Sequence, residues 1–265
     1  MCKVIGVVSL KGGVGKTTSV VALGHAFSER GKRVLLIDGN LSAPNLGMHL
    51  NIFSPKKSLQ DVLMRKINSH EAIHELDNFD LIPASLFCDS EIEHLSLKNR
   101  ISNLKEKYDV IIIDSSPRLD DETLAVMLAS DEVVVVTTPD LPTLGTTIKA
   151  VNLANKRGTS IGGLILNKVY NKNFEVSFED IQNTSEVPIL AVIPHDFNFS
   201  KAVSEFKSYA ELKPNSPASE EYRKLAAVLV GEKYKKHKLN NFFRWINPKK
   251  QDINRVIYYD SLFRD

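Results

Sequence analysis

The chain has 265 residues, of which 43% are hydrophobic and 25% are charged, and its formal net charge is +2. These values are typical of a globular protein with a large core, and they argue against a disordered chain or a uniformly basic nucleic-acid binder. No apolar run approaches the roughly 18 residues that a membrane span needs, and the first residues do not resemble a signal peptide. We therefore expect a cytoplasmic location. The only cysteines, Cys2 and Cys88, lie in no ligand motif and are expected to stay reduced.

Short β-branched or aliphatic runs alternate with helical patterns along most of the chain. The predicted strands are Lys3–Val8, Arg33–Ile37, Asp80–Ile82, Val110–Ile113, Glu132–Thr137, Ile161–Leu166 and Ile189–Val192. The predicted helices are Thr17–Arg30, Leu59–Lys66, Ser69–Leu76, Ser90–Lys107, Asp121–Ala129, Leu144–Arg157, Ser177–Thr184, Phe199–Phe206 and Ser219–Val230. Strand runs without polar alternation are typical of strands buried on both faces. The order predicts an α/β fold, with a mostly parallel twisted sheet and helices on both faces.

The segment between the first strand and the first helix, residues 9–18, reads Ser-Leu-Lys-Gly-Gly-Val-Gly-Lys-Thr-Thr. Its glycines permit a tight turn in which backbone N–H groups converge on one anion, and the following helix adds the positive end of its dipole. A glycine-rich turn can also simply join a strand to a helix, but Gly-Lys-Thr-Thr in this context is a specific match to a P-loop. The departure from the strict P-loop pattern is Leu10, which stands where that pattern has a glycine. The predicted phosphate-binding residues are Lys11, Gly12, Gly13, Val14, Gly15, Lys16, Thr17 and Thr18.

Aspartates follow two of the predicted strands, at the end where ligands bind in an open α/β sheet. The second strand leads into Asp38-Gly39-Asn40, and the run Val110–Ile113 leads into Asp114. In P-loop sites a carboxylate at such a position binds Mg²⁺ directly or through water. The sequence therefore predicts an Mg²⁺ site formed by Thr17, Asp38 and Asp114. Each aspartate could instead cap the helix that follows it.

Together these motifs resemble the MinD/ParA family of ATPases, which carry a deviant Walker A motif. Lys11, ahead of Gly-Gly-Val-Gly-Lys-Thr-Thr, matches the early lysine of that motif. Further similar segments are Leu35–Asp38 with Asn45–Gly47, Asp131–Val133, Thr137–Pro139, Leu166–Lys168, Ile193–Asp196 and Pro217–Ser219. The resemblance covers residues 3–230 and is closest to the MinD-like branch, in its archaeal form.

The resemblance implies an ATPase that binds ATP and Mg²⁺ and forms an ATP-dependent homodimer. In the family the early lysine reaches the partner's phosphates, where a second cation neutralises charge that develops during transfer. This role falls to Lys11, whose alternative is a solvated loop lysine. The family also implies that Asn167 contacts adenine and that Pro194 and Asp196 flank the base. Asn167 could instead cap a turn, and Asp196 could cap the next helix.

Asn40 departs from the family pattern, which has a second aspartate at this position to orient the attacking water. An amide oxygen can accept a hydrogen bond from water, but it cannot take a proton at neutral pH. If orientation is enough, slow hydrolysis is retained, whereas if the carboxylate charge is needed, the ATP-bound dimer stays closed. We therefore assign catalytic roles to Lys11, Lys16 and Asn40, with a turnover below about 1 s⁻¹.

A basic tail follows the predicted ATPase domain. Residues 232–250 carry seven basic groups against the single acid Glu232. Their apolar residues have helical spacing and are Leu239, Phe242, Phe243 and Ile246, with Trp245 at the side. A basic helix with one apolar face suits the surface of an anionic membrane. Packing of that face on the body of the protein and binding in a partner's groove are the open alternatives.

The predicted organisation is an ATPase domain over residues 1–231, a basic amphipathic helix over 232–250 and an extension over 251–265. We expect the extension to form a strand or helix that docks on the body or on a partner. Two function classes follow. One is a MinD-like ATPase that cycles between cytoplasm and membrane and positions other components in cell division, partition or cargo placement. The other is a ParA-like or scaffold protein whose ATP-bound dimer binds DNA or a protein cargo, with little hydrolysis. Both imply an activator or cargo protein, and DNA is less favoured because basic residues outside the tail are interspersed with acids.

Overall fold

The computed structural model describes residues 2–88, 92–234 and 249–263. Within these ranges one sheet has the strand order β3-β4-β2-β5-β1-β6-β7-β8. The strands are β1 Lys3–Val8, β2 Val34–Asp38, β3 His74–Glu75, β4 Asp80–Ile82, β5 Val110–Asp114, β6 Glu132–Thr137, β7 Ser160–Val169 and β8 Ile189–Pro194. Neighbouring strands are parallel, except for the antiparallel pair of β3 and β4. The predicted α/β fold with a mostly parallel sheet is confirmed.

Helices cover both faces of the sheet. The α-helices are α1 Lys16–Ser28, α2 Leu46–His49, α3 Leu59–Leu63, α4 Leu97–Arg100, α5 Asp121–Ala129, α6 Leu141–Lys156, α7 Phe178–Ser185, α8 Asn198–Ser204, α9 Tyr209–Leu212, α10 Pro217–Leu229 and α11 Lys250–Ser261. Short 3-10 helices span Ser69–Ala72, His94–Ser96 and Ser102–Glu106. Alternate residues of β1 enter different layers: Ile5 and Val7 pack with α1 and α10, and Val4 and Val8 pack on the opposite face. The core is therefore two apolar layers with the sheet between them.

Two predicted helices were wrong in the described residues. The segment predicted as one helix, Ser90–Lys107, consists from residue 92 onward of two 3-10 helices with α4 between them. The segment Ser69–Leu76 forms a 3-10 helix followed by β3. Single turns are enough to bury Leu97, Ile101 and Leu104 in the same apolar layer. A helical apolar spacing therefore does not require a continuous helix, whose formation alone is marginal at this length.

The register of the sheet gathers the predicted site residues at one edge. Asp38 ends β2 and is the register partner of Asp114, which ends β5. On its other side Asp114 lies beside Val7 of β1, two residues before the glycine-rich loop begins. The two carboxylates and the loop are thus brought together by strand order, although Asp38 and Asp114 are far apart in the sequence.

Helix α11 packs at the opposite end of the sheet. The side chain of Asn254 donates a hydrogen bond to the carbonyl of Ile189 at 2.8 Å, and the Tyr258 hydroxyl donates to Glu132 at 2.5 Å. Ile189 and Glu132 are the first residues of β8 and β6. The element expected within residues 251–265 is therefore a helix on the body, at the N-terminal ends of the strands.

The predicted membrane contacts Leu239, Phe242, Phe243, Trp245 and Ile246 lie outside the described residues. Across the ranges that the structure does describe, no helix is long and apolar enough to span a bilayer.

Candidate functional site

A cleft of about 430 Å³ opens at the C-terminal ends of the strands. Its wall contains the whole predicted phosphate loop and the predicted adenine contacts. The predicted residues in the wall are Lys11, Gly12, Gly13, Val14, Gly15, Lys16, Thr17, Thr18, Asn40, Asn167, Pro194 and Asp196. Asp38 and Asp114 are fully buried and do not line the cleft. The size is within the range of small-molecule sites.

Gly15 determines how the loop enters α1. Its φ is 91°, in the left-handed region that favours glycine, and it occupies the N-cap of the helix. A Cβ atom added there would lie 2.3 Å from Nδ2 of Asn167. The first N–H groups of an α-helix have no partner within the helix, so those of α1 are available to an anion in the cleft. The loop therefore has the shape of an anion cradle, and position 15 of this loop accommodates only glycine.

Asp114 joins two side chains of the loop. Its Oδ1 forms a buried ion pair with Nζ of Lys16, and its Oδ2 accepts a hydrogen bond from Oγ1 of Thr17 at 2.6 Å. Lys16 is 7% exposed and Asp114 is completely buried. Buried charges are tolerated when they are paired and hydrogen-bonded, as both are here. The cluster brings an ammonium, a hydroxyl and a carboxylate together beside the cradle.

The carboxylate of Asp38 accepts hydrogen bonds from backbone N–H groups. It accepts hydrogen bonds from the N–H groups of Asn40 at 3.2 Å, Asn45 at 3.1 Å and Leu46 at 2.9 Å. Burial, followed by the charge of Asp114, raises the pKa of Asp38 to about 7. Asp38 therefore caps the beginning of α2, as the alternative in the sequence analysis had it, and its place in an Mg²⁺ shell stays a prediction.

The donor set suits an ion that arrives with a nucleotide. In the described part of the chain, no group of three His, Cys, Asp or Glu side chains is placed to hold a metal ion. Mg²⁺ in nucleotide sites usually binds one or two protein oxygens and takes its other ligands from phosphates and water. Thr17 and Asp114 would be those protein ligands, and Mg²⁺ would supply charge neutralisation at the outer phosphates.

Asn40 offers a hydrogen-bond acceptor at the wall of the cleft. Its Nδ2 donates to the carbonyl of Ala43, so the amide orientation follows from the contact. The residue is 3% exposed, and within the described ranges its Oδ1 has no hydrogen-bond partner. An unpaired buried acceptor is unfavourable. Oδ1 of Asn40 is thus a buried acceptor with no partner among the described residues, and its use for the attacking water stays a prediction.

Glu122 of α5 anchors the loop that carries Asn40. It accepts hydrogen bonds from the N–H of Leu41 at 3.1 Å and from Oγ of Ser42 at 3.3 Å. Burial, followed by the charge of Asp120, raises the pKa of Glu122. Sequence reasoning missed this residue, because it lies 81 positions from Leu41 and follows no strand.

Lys11 is held by α6 of its own chain. Its Nζ lies 2.6 Å from Oγ1 of Thr143 and 3.0 Å from Oδ1 of Asp140. Burial opposes the ionisation of Asp140, but hydrogen bonds from Thr138, Thr143 and Lys11 lower its pKa to about 2. The side chain of Lys11 is 38% exposed. The early lysine thus lies at the rim of the cleft with a defined carboxylate partner, and it is not simply solvated.

Two residues at the end of β7 hold the loop from the other side. Nδ2 of Asn167 donates to the carbonyl of Val14 at 2.7 Å, and Nζ of Lys168 donates to the carbonyl of Gly13 at 2.6 Å. Asn167 therefore contacts the phosphate loop itself. Lys168 was not predicted, although its position directly after Asn167 in the family-like segment was a usable signal.

Asp196 belongs to a turn before α8. It accepts hydrogen bonds from the N–H of Asn198 at 2.8 Å and from the hydroxyl of Tyr209 at 2.6 Å. The bond from the Asn198 N–H is the contact of the capping alternative, and adenine contact by Asp196 stays a prediction.

An aromatic row lies beside that turn and was missed from the sequence. The ring of His195 stacks on Tyr170 with centroids 4.4 Å apart, and Phe197 meets His195 edge-on at 4.9 Å. Phe197 is 83% exposed and lines the cleft. An exposed ring at the wall offers a stacking surface for a nucleotide base.

The remaining unpredicted residues of the cleft wall are Asn45, His49, Pro117, Phe199, Ser200 and Val203. Most of them come from α2 and α8, which reach the cleft only through tertiary packing.

Comparison with known proteins identifies the family. A family model described as an AAA domain matches residues 2–160. The septum site-determining protein MinD of Thermotoga maritima is 32% identical over 88% of this chain and 89% of its own length. The chain belongs to the MinD/ParA family of P-loop ATPases. An uncharacterized ATP-binding protein of Methanocaldococcus jannaschii is 31% identical over 86% of this chain and 88% of its own length. The resemblance inferred from the motifs is confirmed.

Solved structures of MinD/ParA proteins agree with this assignment. The cell division ATPase MinD of Pyrococcus furiosus is 34% identical, with a TM-score of 0.79 over 85% of this chain and 97% of that chain. MinD of Pyrococcus horikoshii, complexed with Mg-ADP, is 33% identical, with a TM-score of 0.80 over 86% of this chain and 96% of that chain. Membership in this ATPase family supports binding of a nucleotide with Mg²⁺ in the cleft.

The Gly15→Ala substitution tests the cradle. A methyl group there meets Asn167 and strains the left-handed backbone, so we expect the affinity for ATP with Mg²⁺ to fall by about tenfold or more. Isothermal titration calorimetry measures the change. Gly145→Ala is the matched control, because the space around a Cβ at this position of α6 is open. Unchanged ATP affinity in the Gly15→Ala protein would contradict the assignment of the loop.

Proposed function

We propose that this chain is an ATP-switched MinD-like ATPase that binds ATP with Mg²⁺, dimerises around it and hydrolyses it slowly. Its dimer associates reversibly with an anionic membrane surface from the cytoplasm and positions other components, as in cell division, partition or cargo placement. The observation that carries this proposal is the cluster of Lys16, Thr17 and Asp114 behind the glycine-rich cradle. The names of the similar Thermotoga and Pyrococcus proteins, which refer to the septum and to cell division, support this class of process.

The phosphates are assigned to the loop between β1 and α1. Its backbone N–H groups would surround them, and Lys16 would exchange its bond to Asp114 for one to the outer phosphates. Exchange of one anionic partner for another keeps the buried ammonium paired throughout. Asp114 then faces Thr17, and these two residues would hold Mg²⁺.

The base is assigned to the wall formed by the ends of β7 and β8. Nδ2 of Asn167 is used on the phosphate loop, which leaves its Oδ1 to accept a hydrogen bond from the adenine amino group. Pro194 and Asp196 would flank the base, and the exposed ring of Phe197 would stack on it. Asn167 would thereby connect recognition of the base with the shape of the cradle.

Dimerisation is assigned to the same edge of the sheet. Lys11 would leave Asp140 and Thr143 and reach a phosphate bound in the second copy, again exchanging one anionic partner for another. Leu119 and Leu141, in the segments after β5 and β6, are 62% and 73% exposed at this edge and would become covered. Because the γ-phosphate is the target of the lysine, assembly would depend on ATP and not on ADP.

The two lysines of the loop should separate binding from assembly. We expect Lys11→Ala to bind ATP but stay monomeric, because its contacts lie at the rim and not in the cradle. We expect Lys16→Ala to lose about tenfold to a hundredfold in ATP affinity, since a charged hydrogen-bonding partner is removed. Calorimetry and light scattering with ATP or ADP measure the two effects, with Lys149→Ala on α6 as control. An ATP-dependent dimer of the Lys11→Ala protein would refute the cross-subunit role.

Hydrolysis is assigned to a water molecule oriented by Asn40. The unpaired Oδ1 of this residue can accept one hydrogen bond, but the amide cannot take the proton. In a loose phosphoryl transfer orientation matters most, so a slow reaction below about 1 s⁻¹ is retained.

Asn40→Asp should accelerate hydrolysis by about tenfold or more, because a carboxylate orients water and also accepts its proton. Phosphate release under saturating ATP measures the rate. Asn45→Asp, the same change in the same loop, is the control and should not raise the rate, because the Asn45 amide is bound to the Ala43 carbonyl. A rate that is unchanged or lower in the Asn40→Asp protein would remove this assignment.

Membrane association is assigned to the basic tail. One copy of a short amphipathic helix binds weakly, and a dimer presents two, so ATP should strengthen attachment through avidity. Deleting the chain after Gly231 would also remove the packed helix α11, so a point substitution such as Phe243→Glu is the cleaner variant.

The only tryptophan, Trp245, reports on this contact. With vesicles rich in phosphatidylglycerol we expect its emission to shift to shorter wavelength, more with ATP than with ADP, because an apolar environment replaces water around the ring. Phosphatidylcholine vesicles and the Phe243→Glu protein should show a much smaller shift. No shift in the unmodified protein, together with ATP-dependent retention on DNA, would favour the ParA-like class instead.

A further inference from the structure

Helix α11 departs from the usual arrangement of a surface helix, although its Tyr258 and Tyr259 pack on the core. Polar side chains lie on its buried side, where Gln251, Asn254 and Arg255 are 6–7% exposed. Apolar side chains lie on its outer side, where Ile253, Val256 and Ile257 are 45%, 59% and 63% exposed. Helices on protein surfaces normally turn such residues toward the core. We call the three outer residues the apolar stripe.

Buried polar contacts fix this orientation. Nη1 of Arg255 lies 2.6 Å from the carbonyl of Leu190 and 2.9 Å from Oε2 of Glu221, and both charged side chains are almost fully buried. Turning the helix would leave these charges buried and unpaired, which is strongly unfavourable. The apolar stripe therefore faces outward because the polar side of α11 is bound to β8 and α10.

The segment after α10, around Gly231 and Lys233, lies next to the C-terminal end of α11. Nζ of Lys233 lies 5.4 Å from the ring centroid of Tyr259, and a Cβ atom on Gly231 would lie 3.3 Å from the ring of Phe263. The chain is described again at Lys249, directly before α11 begins. Residues 235–248 therefore connect the two ends of α11. A helix of 12 residues is about 18 Å long, and 14 residues in helical form cover about 21 Å.

The composition of this connection matches the stripe. Its apolar residues Leu239, Phe242, Phe243 and Ile246 have the spacing of one helical face. An antiparallel path would place Ile246 beside the beginning of α11, at Ile253, and the two phenylalanines beside Val256 and Ile257. Asn247-Pro248 would then supply the short connection that is common between antiparallel helices.

The charges of residues 235–248 and of α11 also favour an antiparallel arrangement. Lys235, Lys236 and Lys238 begin the connection, and Asp260 ends the outer side of α11. In an antiparallel arrangement these opposite charges come to the same end. The apolar and the charged residues thus favour one direction.

We propose that the apolar face of residues 239–246 docks antiparallel on the apolar stripe of α11. The same face is assigned above to the membrane, so docking and lipid contact exclude each other. Helix α11 is then a platform that shields the anchor, and the apparent affinity of the anchor for lipid is its intrinsic affinity multiplied by the fraction of time that it is undocked. This inference goes beyond the proposed function and requires no nucleotide.

The test compares full-length proteins without nucleotide or lipid. Docking should slow tryptic cleavage at Lys235, Lys236, Lys238 and Arg244 and should shield Trp245 from acrylamide. Ile257→Glu and, separately, Val256→Glu place a charge in the stripe and should accelerate cleavage and increase quenching. Ile257→Ala, which only removes contact area, should act in the same direction with a smaller effect. Phe53→Glu is the control, because Phe53 is 50% exposed at a distant position in the chain and should leave both signals unchanged.

Reciprocal variants and vesicles complete the test. Phe243→Glu should accelerate cleavage as Ile257→Glu does, because either change breaks the same contact. With phosphatidylglycerol vesicles and no nucleotide, Ile257→Glu should bind more than the unmodified protein, since the anchor is released. If folded stripe variants show unchanged cleavage and quenching, the docking proposal is overturned. If the same variants also lose vesicle binding, the stripe would be assigned to lipid contact instead. Vesicle binding that is absent in every protein, with the protection intact, would count against the membrane proposal alone.

Discussion

The buried carboxylate of Asp114 is the contact on which the rest of the site depends. Isolated from water at the end of β5, it is stable only because Lys16 neutralises it and Thr17 donates to it. Those two residues begin α1, so the ion pair also fixes where the helix starts and where its free N–H groups lie. Asn167 and Lys168 hold the preceding carbonyls, and the left-handed Gly15 makes the turn between them. The anion site is thus assembled around the Lys16 ammonium, which is already paired with Asp114.

At the end of β2, carboxylates hold the loop through bonds to backbone N–H groups and not through a side-chain ion pair. Asp38 binds the N–H groups at the beginning of α2, and Glu122 binds the residues after Asn40. The loop that carries Asn40 is therefore tied to β2 at one end and to α5 in its middle. Because α5 follows the loop after Asp114, both strand ends contribute to the position of Asn40.

The sequence predicted the features that depend on local chemistry. The sheet, the phosphate loop and the meeting of Asp38 and Asp114 at one edge follow from apolar runs, glycines and the rule that ligands bind at strand ends. It left open the partners of single side chains: whether Asp38 binds Mg²⁺ or caps the next helix, and which carboxylate holds Lys11, is decided by the packing of distant segments. Helical spacing was also misleading where one turn buries the same residues as a long helix, as at Leu97 and Ile101. The reversed helix α11 has no sequence signal, since its polar side is buried by specific bonds.

The position of α11 limits how nucleotide and tail can influence each other. The cleft lies at the C-terminal ends of the strands, whereas α11 contacts the first residues of β6 and β8. Between them lie strands that are buried on both faces, so the cleft and α11 are at opposite ends of the sheet. The coupling that we propose acts through assembly, because a dimer carries two tails and two weak anchors together bind a membrane more tightly than one. In the proposed arrangement each tail would be held on its own α11 with a modest preference, and a membrane would compete for both tails of a dimer at once. The nucleotide would then control the number of anchors, and the apolar stripe would control how readily each is released.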